Sequence, residues 1–90
     1  MLSDKSRNHI CAEVANILRA ERVRQDLSMT KMGERAGLSQ QMISYVERKL
    51  RNPSLDTMLR MTGALDINLD DVIRKATAAA ATQEGGPTAQ

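Results

Sequence analysis

The stretch SMTKMGERAGLSQQMISYVE, residues 28–47, holds two short segments of helical apolar spacing hinged at Gly37. The second opens on Ser39 and then carries Gln40 and Gln41. Two glutamines at a helix start are either plain solvent-facing residues or groups positioned to read something, and the surrounding pattern bears on which. Ser28 is placed to cap a helix running to about Ala36. Gly37 is the residue type that ends a helix in a left-handed turn, and only Leu38 separates it from the next cap, Ser39. The helix that follows, over about residues 40–48, divides into two faces. Met42, Ile43 and Val46 form an apolar stripe with Leu50 close beyond it, while Gln40, Gln41, Ser44, Tyr45 and Arg48 form a polar one. Two short helices joined through a glycine turn, the second two-faced, make a helix-turn-helix over about residues 28–48.

The rest of the chain fits a small helical domain. Its 90 residues are 41% hydrophobic, yet Tyr45 is the one aromatic residue, so a core must come from Leu, Ile, Val, Met and Ala. That composition suits helices packed on helices. No apolar run is long enough for a bilayer, and the start MLSDKSRNHI has no stretch that reads as a signal peptide. Cys11 and His9 are the single residues of their kinds, so neither an internal disulfide nor a metal or cofactor site is expected. These features describe a cytoplasmic, reduced, all-α domain without membrane contact. Residues 1–52 hold ten Lys or Arg against six Asp or Glu, whereas residues 53–90 hold three against five. A basic first half suits a side that faces a polyanion.

Ile10, Val14, Ile17 and Leu18 mark a first helix over roughly residues 6–25 with Ser6 as its cap. Its last turns carry Arg19, Arg22 and Arg24, where cations complement the helix dipole. After the helix-turn-helix, Pro53 biases Asn52 away from helix, and Ser54 caps a fourth helix with Leu55, Met58, Leu59, Thr62 and Leu65 on one face. Asn68 caps a fifth, with Leu69, Val72 and Ile73 as its apolar side and Asp70 and Asp71 in its first turn. The helix-turn-helix domain is expected over residues 1–75. Residues 76–90 read as an alanine-rich extension, able to prolong the fifth helix, and a disordered tail.

A bare helix fits the major groove of B-DNA, about 12 Å wide, with its N-terminal residues meeting base edges. A glutamine amide donates to and accepts from adenine at once. Ser39, with the free amides of a helix start, suits a phosphate. Arg48 and Lys49, with Arg51 and Asn52 beyond, leave the same helix toward a flanking backbone strand. The run SQQ thus stands where a reader of double-stranded DNA would have it.

From Leu18 to Leu65 the chain resembles the phage-repressor and Cro-like helix-turn-helix proteins, the XRE family. The resemblance rests on LRAER (18–22), LS (27–28), AGLS (36–39), ISYVE (43–47), NPSLDTMLRM (52–61) and ALDINLDDV (64–72). It implies a lambda-repressor-like fold of five helices with base contacts from Gln40, Gln41, Ser44 and Tyr45. It also implies a partly buried structural ion pair between Arg22 and Glu47. Four positions depart from the family pattern. Met29 replaces a phosphate-reaching glutamine, so that contact is expected to be missing. Gly33 replaces alanine, which is expected to weaken its helix by roughly 0.5–1 kcal/mol. Lys49 replaces a glycine, implying a differently shaped loop, and Asp66 replaces another in a turn that Asp tolerates.

Catalysis is not expected, since no nucleophile has an orienting partner and no glycine-rich phosphate loop occurs. Asp70 and Asp71 have the simpler role of a favourable helix start. Cys11 reads as a small hydrophobe, His9 as a surface residue and the methionines as core. The chain is expected to be a sequence-specific transcriptional regulator, a repressor working as a homodimer on a palindromic operator. Leu69, Val72 and Ile73 are the expected dimer surface. Rival readings are an antitoxin or restriction-modification controller with a protein partner on the same fold, and a helix-turn-helix module that binds protein rather than DNA.

Overall fold

The computed structural model describes residues 2–83. Within them the chain forms α1 (Asp4–Arg24), α2 (Met29–Ala36), α3 (Gln40–Glu47), α4 (Leu55–Leu65) and α5 (Leu69–Gln83), with no strand. The fold is all-α, as the sequence implies. None of the described helices is long and apolar enough to cross a membrane.

Serines start four of these helices. The hydroxyls of Ser3, Ser28, Ser39 and Ser54 accept the amides of Ser6, Lys31, Met42 and Thr57, each at 3.0 Å. Each bond satisfies one of the amide donors that a helix start leaves open. Three of these caps are the expected ones. The first is a correction: α1 starts at Asp4 on Ser3, and Ser6 lies inside it. The added turn is polar and carries no apolar spacing, while Asp4 complements the positive helix end.

Left-handed residues end the segments. Gly37 closes α2 at φ 71°, and Asp66 closes α4 at φ 58°. Lys49 also takes φ 63°. It adopts the left-handed backbone that a glycine would take. The exchange costs about 1–2 kcal/mol.

The core is aliphatic. Leu18, Met32, Ile43, Val46, Met61 and Leu65 are fully buried, joined by Val14, Val72 and Ala76. Burial of each large side chain contributes roughly 1.5–3 kcal/mol. On α1, Val14 and Leu18 face inward, with Ile10 and Ile17 packed beside them.

On α4 the expected stripe is rotated. Leu55 and Leu59 point outward at 62% and 53% exposure, and Met61 fills the core in their place. Thr62 is buried because its hydroxyl donates to the Met58 carbonyl at 2.9 Å. On α5 the expected dimer surface is corrected in part. Val72 is only 2% exposed and belongs to the core, Leu69 packs against that core, and Ile73 alone is open, at 37%. The helix passes residue 75 unbroken, with Ala76 and Ala80 buried. The expected disordered tail lies, from residue 84, outside the described residues.

Gly33 has a different role from the one its helix propensity suggests. A Cβ there would sit 2.5 Å from the Leu38 carbonyl oxygen, so glycine is what lets α2 close against the turn. Gly33→Ala is therefore expected to lower stability by about 1–3 kcal/mol, as overpacking does, despite alanine's better propensity. A raised melting temperature would contradict this.

One polar strap ties the end of α1 to the end of α4. The Gln25 amide donates to Glu21 Oε2 and to the Leu65 carbonyl, both at 2.7 Å. Hydrogen bonds from Arg24 and then Gln25 hold the Glu21 carboxyl down from its ordinary 4.5 to about 2, against the opposing effect of burial. A depressed folded-state value means the stabilisation is complete above pH about 4.5 and fades as pH falls toward 2. Urea midpoints are expected to drop through that window, and Glu21→Gln to flatten the drop. An identical slope in the variant would remove Glu21 from this role.

Candidate nucleic-acid interface

The orientation of α3 is fixed by a charge pair under it. Arg22 Nε donates to Glu47 Oε2 at 2.6 Å, and its Nη2 donates to Oε1 at 2.9 Å. Arg22 Nη1 donates to the Leu27 carbonyl at 2.6 Å. The two side chains are 11% and 1% exposed. Such a two-pronged guanidinium–carboxylate contact is geometrically demanding as well as strong. Glu47's hydrogen bonds and charge raise the already high pKa of Arg22, outweighing burial. With Ile43, Val46 and Glu47 turned inward, Gln41, Ser44 and Arg48 occupy the middle of the outer face, flanked by Gln40 and Tyr45.

Each flank is buttressed. On the α2 side, Thr30 Oγ1 donates to Gln40 Oε1 at 3.3 Å, leaving the Gln40 amide donors to face outward. Across the face, Gln41 Nε2 donates to Tyr45 Oη at 2.7 Å, leaving the Gln41 carbonyl oxygen and the Tyr45 hydroxyl proton available. On the loop side, the Arg51 guanidinium lies 5.4 Å from the centre of the Tyr45 ring, within the range of a cation–π contact. The Tyr45 carbonyl accepts the Leu50 amide at 2.9 Å and the Arg51 amide at 3.3 Å. This folds the loop back against the last turn of α3.

The cations expected at phosphate fall into two settings. Arg48 is the exposed C-cap of α3. Lys49, Arg51 and Asn52 line a cleft of about 290 Å³ against Asn8 and Cys11 of α1. Ser39 is exposed at the head of α3, its oxygen already accepting the Met42 amide. Met29, where the family resemblance suggests a phosphate-reaching glutamine, packs against the core.

Sequence reasoning missed two supporting residues. Thr30 stands ten positions before Gln40 and gives no local sign of meeting it. Arg60 pairs with Asp56 at 2.8 Å and reaches the Ala36 carbonyl at 3.4 Å, which lays it across the turn of the helix-turn-helix. The expected dimer residues Leu69, Val72 and Ile73 do not form one open surface, since Val72 is internal.

Residues 18–72 match a protein family described as helix-turn-helix. Two curated relatives, both uncharacterized HTH-type transcriptional regulators from strains of Mycobacterium tuberculosis, are each 34% identical over 55 residues. The match covers 61% of this chain and 39% of each relative. The chain therefore spans about two fifths of the length of the curated relatives it matches. No solved structure gives a significant match.

Removing one member of the buried pair leaves the other charge out of water without a partner. Glu47→Ala is expected to cost about 3–5 kcal/mol, read as a large fall in the urea midpoint. A loss below about 1 kcal/mol, the range of exposed pairs, would show that the pair does not hold α3.

Proposed function

This chain belongs to the helix-turn-helix family, and on that premise we propose that it is a dimeric repressor reading a palindromic operator in the major groove. The observation that carries the reading is the outer face of α3. Gln40, Gln41, Ser44 and Tyr45 share it, and Thr30, Gln41 and Arg51 restrain its two flanks. Side chains already held in place lose less freedom on binding. Gln40 offers amide donors and Gln41 a carbonyl acceptor, the pairing chemistry that base edges require.

In this reading Ser39, Arg48, Lys49, Arg51 and Asn52 hold the flanking phosphates. Their contacts set register and affinity, while the glutamines set sequence. Arg51 has a double role, since stacking on Tyr45 positions it for the backbone strand. Binding represses by occupying the site, and it takes place in the cytoplasm, where the chain meets DNA directly. One helix-turn-helix covers few base pairs, so specificity calls for two copies on half-sites about 34 Å apart.

Duplexes selected from a random pool at about 0.15 M salt, where loose phosphate binding is weakened, are expected to share a two-fold-symmetric motif. On the selected duplex, Gln40→Ala and Gln41→Ala are each expected to lose roughly 1–3 kcal/mol of discrimination at one base position. Arg48→Ala is expected to weaken all sequences alike and to reduce the salt slope by about one. Absence of any enriched motif with folded protein would overturn the proposal.

A further inference from the structure

The outward side of α4 carries a surface that the core does not use. Leu55, Leu59 and Gly63 stand one turn apart along one row of the helix, exposed and clear of the inward Met61 and Leu65. Both leucines are more than half exposed. A Cβ added at Gly63 would have no atom within 4 Å, so the row ends in a bare patch of backbone. Beside it run Asp56 and Arg60, paired at 2.8 Å.

We infer that this row binds a second copy of the chain, with the two α4 helices antiparallel and crossing at Leu59. The inference rests on the dimeric reading proposed above and names the surface that makes the dimer. Two features of the row favour its own copy as the occupant. A two-fold contact requires a self-complementary surface, in which residue i meets j and j meets i. Crossing at Leu59 sets Leu55 over the second copy's Gly63, knob against gap, twice. In antiparallel helices the same flank of each copy meets, so the Asp56–Arg60 pair of one copy lies alongside that of the other with its charges reversed.

The surface also lies where pairing has consequences for the reading face. Arg60 bridges from α4 to the Ala36 carbonyl at the turn before α3, and Leu50, 57% exposed, stands in the loop that joins α3 to α4. Pairing through α4 therefore fixes the spacing of two α3 helices with no flexible segment between. The row is small beside the roughly 800 Å² per partner of a stable interface. The pair is accordingly weak in free solution and closes at the effective concentration that two adjacent half-sites impose.

The test is disulfide trapping in the full chain with Cys11→Ala as background. Leu59→Cys is compared with Ala78→Cys, an exposed position on α5, under mild oxidation, with and without the selected duplex. Leu59→Cys is expected to form covalent dimer at least about tenfold faster on the duplex. Leu59→Arg, at an exposed site, is expected to keep its helicity and its affinity for a single half-site. It should lose at least about tenfold on the palindrome. Equal trapping at the two positions, faster trapping at Ala78, or wild-type palindrome binding by Leu59→Arg would each overturn the assignment. If the wild-type chain binds neither duplex, the DNA reading has failed. Trapping of the free protein then decides the α4 surface by itself.

Discussion

Arg22 and Glu47 meet almost out of solvent, and two charges in that setting are tolerated only in the geometry that satisfies both. Arg22 comes from the last turns of α1 and Glu47 ends α3, so their two hydrogen bonds fix how α3 rotates relative to the longest helix. The third bond, to the Leu27 carbonyl, fixes the segment leading into α2. From this constraint the rest follows. With Glu47 inward beside Ile43 and Val46, the polar residues of α3 have one direction left. They then stand on the outer face, held at one edge by α2 and at the other by the returning loop.

That loop shows how tightly the surroundings specify backbone. Lys49 accepts a left-handed conformation that a glycine would take without cost. What it supplies instead is a cation beside Arg51 and Asn52. Gly33 illustrates the opposite exchange. It gives up helix propensity so that α2 can close on the carbonyl of Leu38. Both residues sacrifice local preference at points that border the outer face of α3, where departures from local preference are most informative.

The sequence made the helix-turn-helix legible because its signals are local. Ser28, Ser39 and Ser54 cap, Gly37 turns, and α3 has one apolar and one polar side within eight residues. The rotation of α4 was not legible. Leu55, Met58, Leu59, Met61 and Leu65 support two different stripes at helical spacing, and only the neighbouring helices choose the one through Met61. The burial of Ala76 and Ala80 was hidden for another reason. Alanine carries little hydrophobic signal, and its burial reflects the close approach of α5 to α1. Val72 reads as open surface because nothing in its own segment shows that it is enclosed in the core. The buttressing bonds from Thr30 and Arg60 join residues ten and twenty-four positions apart, beyond what spacing along one helix can reveal.

The fold thus presents a restrained polar face on α3 and an exposed row of Leu55, Leu59 and Gly63 on α4, linked through the turn that Arg60 spans. In the proposed reading the α3 face is the surface that meets DNA. Titration of isotopically labelled protein with its selected duplex, followed by amide NMR, tests it most directly. The strongest perturbations are expected on residues 39–45 and 48–52, together with Thr30. Perturbations confined to α1 and α5, with residues 39–45 unmoved while the duplex is bound, would contradict it.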